Sequence, residues 1–259
     1  MPPSGVASDR QALNPDLFLI LAAVSFSFFV KGVAGFGGPL LAVPIIAPTL
    51  GVEHAVVVLS IGNVISNLIM LWEYRSGFGD TRPLLVRLLA AGVAGTVLGT
   101  WLLTRLDNRP LSLVVAALVL GYIVLSIVRP NFRIDASRGL SLAWPVGAFG
   151  GLVHGATSNS GPVFGTFLHS LGLSRSSFVF SLTVPFLVFS SIQVLTLAGL
   201  GAFTPERTAQ ALWATLPVLI VIPVGTRIAR RLNQRAFERI VMALLAFAAV
   251  RLALSAFGI

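Results

Sequence analysis

Eight stretches of this chain contain no Asp, Glu, Lys or Arg, and together they take up most of its length. They run from Leu17 to Val30, Gly32 to Val52, His54 to Trp72, Leu88 to Thr104, Pro110 to Val128, Gly139 to Ser174, Ser176 to Pro205 and Thr208 to Thr226. Most reach the roughly 20 residues that a helix needs to cross the hydrocarbon of a bilayer. Lipid offers the backbone no hydrogen bonds, so a chain of this kind has to satisfy its peptide groups within helices. Only 10% of the residues are charged, against about 25% in an ordinary soluble domain. The expected fold class is all-α, a polytopic helical membrane protein.

The net charge of +9 does not point to nucleic acid, because the arginines sit between the apolar runs, where they act as topology signals. The absence of cysteine excludes disulfides and thiolate metal sites. The first fifteen residues lack a basic stretch leading to a small-residue cleavage motif, so the segment from Asp16 reads as a retained membrane helix.

The chain repeats itself. Lys31 to Pro39 reads KGVAGFGGP and His154 to Pro162 reads HGATSNSGP, matching without gaps at Gly32/Gly155, Gly38/Gly161 and Pro39/Pro162. Further on, GTWLLTRLDNR (Gly99 to Arg109) is echoed by GTRIARRLNQR (Gly225 to Arg235). Shared motifs in one order at similar spacing indicate an internal duplication. The expected organisation is a polar segment 1–15, a first membrane repeat 16–128, a cytoplasmic linker 129–138 and a second membrane repeat 139–259. Each half holds an apolar segment interrupted by the Gly-Pro stretch, a short helix and three spanning helices.

If the interrupted segment turns back as a re-entrant hairpin, the halves are inverted; if it crosses fully, they are parallel. Cytoplasmic loops collect Lys and Arg, and the hairpin arrangement divides the arginines twelve to five where the full crossing divides them eight to nine. The reading is therefore two inverted-topology repeats, with both termini outside.

A helix break at membrane depth leaves backbone groups that only a protein interior or a watery cavity tolerates, and in inverted-repeat transporters such breaks form the substrate site. Helices restarting at Gly38-Pro39 and Gly161-Pro162 point the positive ends of their dipoles at that site, which suits an anion. Gly35 and Gly37 belong to the first break; Ser158, Asn159 and Ser160 form the second. Taken singly, such glycines serve close helix packing just as well.

Lys31, the only lysine, adjoins the first break, and an ionisable group at membrane depth is by default a functional hypothesis. Its alternative is to snorkel to the interface. His154 holds the equivalent position in the second half, able to bind an anion or carry a coupling proton, or else to pack as a neutral residue. Ser60, Asn63 and Asn67 on the next helix and Gln193 in the second half supply further polar groups; interhelical bonding explains any one of them equally well. Asn63 and Asn67, four apart, share one helix face. No acidic residue lies deep in an apolar run, which speaks against a metal site and a carboxylate relay. No catalytic constellation is present; no cofactor and no enzymatic role are expected.

The GFGGPLLAVPII stretch (Gly35 to Ile46), the Ser60/Asn63 helix and the second copy at His154 to Pro162 resemble the sulfite exporter TauE/SafE family of membrane transporters, over essentially the whole chain. The resemblance implies a prokaryotic inner-membrane protein that exports sulfite, sulfonates such as sulfoacetate, or related organic anions. The second break, SNSGP, departs from the glycine-rich pattern, which puts the ligand in question. The expected function is a secondary transporter exporting a small anion through a site between the breaks; an anion or small-solute channel and a non-transporting membrane scaffold are the rivals. The partners are a small anion and the lipid bilayer, not nucleic acid, with room for a homodimer and for proton coupling.

Overall fold

Helices fill the computed structural model, which describes residues 15–77, 81–128, 133–229, 250 and 253–254. Nearly all of the polar segment 1–15, the start of the linker, the residues Arg230 to Arg235 of the second repeated motif and most of the last expected helix lie outside the described residues. The first half comprises α1 (Pro15–Ala34), α2 (Gly38–Leu50), α3 (Val52–Glu73), α4 (Arg82–Leu103) and α5 (Asn108–Val128). The second comprises α6 (Ala136–Thr157), α7 (Gly161–Ser170), α8 (Arg175–Gly199) and α9 (Pro205–Ala229). Among the described residues, α1, α3, α4, α9 and α8 from Ser176 onward are long and apolar enough to span a bilayer. This is a multi-pass helical membrane protein.

Local chemistry explains where the helices stop. Gly35 and Gly37 take φ values of 91° and 109°, which only glycine adopts without strain, and Pro39 opens α2 where its missing N–H is harmless. In the second half a serine does the same work: Ser158 sits at φ 54°. Two bonds hold it there, its N–H to His154 O at 2.7 Å and its Oγ to Gln193 Oε1 at 2.6 Å. The SNS sequence thus ends a helix without glycine because Gln193 reaches across from α8.

Each half lays its first helix on the fourth helix of the other: α1 packs on α9, and α6 on α4. The contacts correspond in detail. A Cβ on Gly32 would lie 3.1 Å from Gly225 Cα, and one on Gly155 would lie 3.0 Å from Gly99 C; these are the glycines the two repeated motifs share. Along α4 and α6 the backbones touch from Leu88 against Gly147, through Gly92 against Gly151, to Gly99 against Gly155, so the two helices run with like ends together. Small residues let membrane helices approach this closely.

The directions of other neighbours can be read in the same way. Beside α9, α3 begins with Arg207 Nη1 donating to Glu53 Oε1 at 2.7 Å and His54 Nε2 2.6 Å from Gln210 Oε1. Its far end, Leu68 to Glu73, shares a cavity with Pro223, Thr226 and Arg227. Against α8 the order is reversed: Asn63 meets Ser190, and just past the end of α3 Ser76 meets Ser176. The next helix, α4, runs with α8, from Thr81 at Ser181 to Gly92 at Phe189.

Apolar packing forms two lobes. One gathers Phe28, Leu41, Val56, Val218 and Ile222 among others; the other gathers Leu88, Phe164, Leu168, Phe186 and Phe189. Phe36, inside the first break, packs against both.

Candidate functional site

Polar side chains meet where the two lobes adjoin. Lys31, in the last turn of α1, is 2% exposed; it does not snorkel. Its Nζ donates to Asn63 Oδ1 at 2.8 Å, Ser66 Oγ at 2.8 Å and Asn67 Oδ1 at 2.7 Å. An ammonium has three donors and no acceptor, so this cage satisfies it completely, and all three acceptors are neutral. The i, i+4 spacing of Asn63 and Asn67 places both amides on one side of Lys31. The Phe28 ring, 5.5 Å from Nζ, closes the cage on the α1 side.

The bonds continue into the second half. Asn63 Nδ2 donates to Ser190 Oγ at 2.9 Å, and Asn67 Nδ2 lies 3.4 Å from the same oxygen. Ser190 Oγ lies 3.1 Å from His154 Nε2, and His154 Nδ1 is 3.0 Å from Ser160 Oγ. His154, Ser160 and Ser190 are all buried, and the imidazole is flanked by the rings of Phe186 and Phe189 at 6.0 and 5.9 Å. One hydrogen-bonded chain therefore links Lys31 at the first break to Ser160 in the second. The breaks also touch directly, since a Cβ on Gly161 would lie 3.1 Å from the Phe36 ring.

The remaining residues named from the sequence fall in different places. Gln193 is buried and clamps the end of α6, its Nε2 donating to His154 O at 3.0 Å and Gly155 O at 2.8 Å. Ser158 is tied to Gln193. Asn159 Oδ1 accepts the Gly161 N–H at 3.0 Å, so the first N–H after Ser160 is engaged by the chain's own side chain. Gly35, Gly37, Gly38, Pro39 and Pro162 form the backbone of the breaks. Ser60 stands apart; its Oγ donates to Val57 O within its own helix.

Two members of the cluster, Ser66 and Ser190, escape sequence reading, because single serines in apolar helices are common. Ser190 did leave a signal. It follows His154 by 36 residues, as Asn67 follows Lys31, and in each pair the two side chains are in contact. The duplication that relates Lys31 to His154 thus relates Asn67 to Ser190, and the two halves meet at that pair.

Among the described residues no group of three or more His, Cys, Asp or Glu could hold a metal ion. Comparison with curated proteins and with solved structures gives no match. The family model for the sulfite exporter TauE/SafE does match, over residues 19–252, a span that takes in both breaks, the Lys31 cage and His154. That match, running almost from end to end of the chain, places this protein in the sulfite exporter TauE/SafE family, whose members move sulfite-type anions across membranes.

Proposed function

We propose that this chain is a secondary transporter that exports sulfite, an organosulfonate or a related carboxylate across a prokaryotic inner membrane. The anion would bind near the midplane, between the two helix breaks. The observation that carries this reading is Lys31: a lysine amine buried inside the helical bundle and held by three neutral oxygens. Burying an unpaired charge is expensive, and an arriving anion would supply the missing partner while the three acceptors turn aside. The cage is closed to solvent.

Alternating access requires two units that rock about the site, and inverted halves supply them. What supports inversion is the run of neighbours: α3 lies against α8 head to tail, while α4 runs with α8, so α3 and α4 point in opposite directions. The counterpart of α4 in the second half, α9, runs with α3. The second half is then upside down relative to the first. In this naturally cysteine-free chain, single cysteines at Leu106 and Leu200 should react with an impermeant maleimide from the same side; labelling from opposite sides would sink the inversion. The transport reading is tested in proteoliposomes. Saturable uptake of sulfite or sulfoacetate, accelerated by the same anion trapped inside, is the expected result. Uptake that does not saturate and shows no counterflow would identify a channel.

A further inference from the structure

Counting hydrogen-bond valences around Ser190 assigns a proton state. Lysine only donates, so the amide oxygens of Asn63 and Asn67 must face Lys31 and their Nδ2 groups must face Ser190. A serine hydroxyl accepts two bonds and donates one. With both lone pairs directed at the two amides, its proton is left for His154 Nε2 at 3.1 Å. That nitrogen accepts, so the imidazole proton sits on Nδ1, facing Ser160 Oγ at 3.0 Å. The arrangement holds a neutral His154. A second proton on His154 would make Nε2 a donor aimed at an oxygen with no lone pair to spare. One amide must then let go, and because a side-chain amide turns as a rigid plate, its oxygen swings away from Lys31.

We infer that Ser190 is a positioning residue that couples protonation of His154 to the opening of the Lys31 cage, so that proton binding and anion binding favour one another. This rests on the reading of Lys31 and His154 as two ends of one transport site. Among the described residues, other titrating groups stand away from the relay. The side chains against His154 include, among the described residues, Ser160 before α7 and Phe186, Phe189 and Ser190 of α8, while the α4 backbone at Thr96 and Thr100 lies against Gly155. The basic group joined to His154 through Ser190 and Asn63 is Lys31 on α1. Arg87 of α4 bonds Leu140 O near the opposite end of α6, and His169 closes the far end of α7 beside Arg133. Where His154 titrates, anion affinity should rise by up to about tenfold for each unit of falling pH, the slope for one linked proton.

The single lysine and three histidines allow a direct test by nitrogen-15 magnetic resonance on protein labelled at those two residue types. In the wild type, with no anion present, the lone Lys31 signal should move with the midpoint of His154. In Ser190→Ala, His154 should still titrate while Lys31 loses most of that movement; Ser190→Thr, which keeps the hydroxyl, should restore it. A Lys31 signal that ignores the titration of His154 in the wild type overturns the coupling. So does a response unchanged in Ser190→Ala, or a His154 that never titrates while the protein stays folded. Adding sulfite and sulfoacetate at fixed pH tests the underlying reading separately: no shift of Lys31 with either would sink the anion site and leave the proton linkage standing or falling on the first result.

Discussion

Lys31→Met should abolish sulfite counterflow while the protein still folds and inserts. Methionine nearly matches the length and volume of lysine and removes the one positive charge in the cage. A charge-assisted hydrogen bond contributes up to about 3 kcal/mol, so losing it should weaken anion binding about a hundredfold. The effect on stability should be much smaller, because two penalties oppose one another. The acceptors on Asn63, Ser66 and Asn67 lose their donor, at about 1–3 kcal/mol for a buried group left unpaired, but the membrane interior no longer has to hold a charge. Transport and thermal melting measured on one preparation separate these effects. A mutant that transports like wild type removes Lys31 from the site; one that fails to fold makes Lys31 a structural residue.

Gly155→Val should have the opposite signature, with loss of folded protein before any question of transport arises. A Cβ on Gly155 would meet the Thr96 carbonyl oxygen, with Thr100 N at 2.6 Å and Gly99 C at 3.0 Å. All three are backbone atoms of α4, so α4 and α6 would have to separate along their whole shared length. Forcing extra methyl groups into a packed core costs about 1–3 kcal/mol even where side chains can yield; here none can, and the total stability of a domain is only about 5–15 kcal/mol. Gly165→Ala is the control, since among the described residues a Cβ there meets nothing within 4 Å, and a helical Gly→Ala change of this kind stabilises by up to about 1 kcal/mol. Detergent-extractable monodisperse protein for Gly165→Ala and aggregate for Gly155→Val is the expected pair. If both behave like wild type, the helices do not pack as closely as described.

Parts of this molecule were legible from the residues alone because their physics is local. The apolar runs become helices wherever they fall, since lipid leaves the backbone no other way to pair its groups. The breaks at 35–37 and 158–160 follow from glycine and proline placement, although Ser158 needed Gln193 to hold its left-handed turn. The repeat pairing of Lys31 with His154 was also readable. Ser60 looked equivalent to Asn63 as a polar residue on the same helix, and its own backbone took its hydroxyl. Nothing local distinguishes the two, because a serine can bond one turn back on its own helix whereas a cage asparagine needs a partner from another.

Sequence by itself determined that the chain lives in a membrane as helices, that two of its motifs recur in the same order, and where the helices stop at 35–37 and 158–160. Those properties depend on the solvent a segment meets and on φ/ψ limits that each residue carries with it. Only the tertiary structure decided that the first helix of each half rests on the fourth of the other, that Lys31 is enclosed and not extended to the surface, and that Ser190 joins the two halves. Those features arise from contacts between different helices, from Lys31 with Asn63 at 32 positions apart to Asn63 with Ser190 at 127, and such contacts exist only once the glycine-lined backbones have closed on one another.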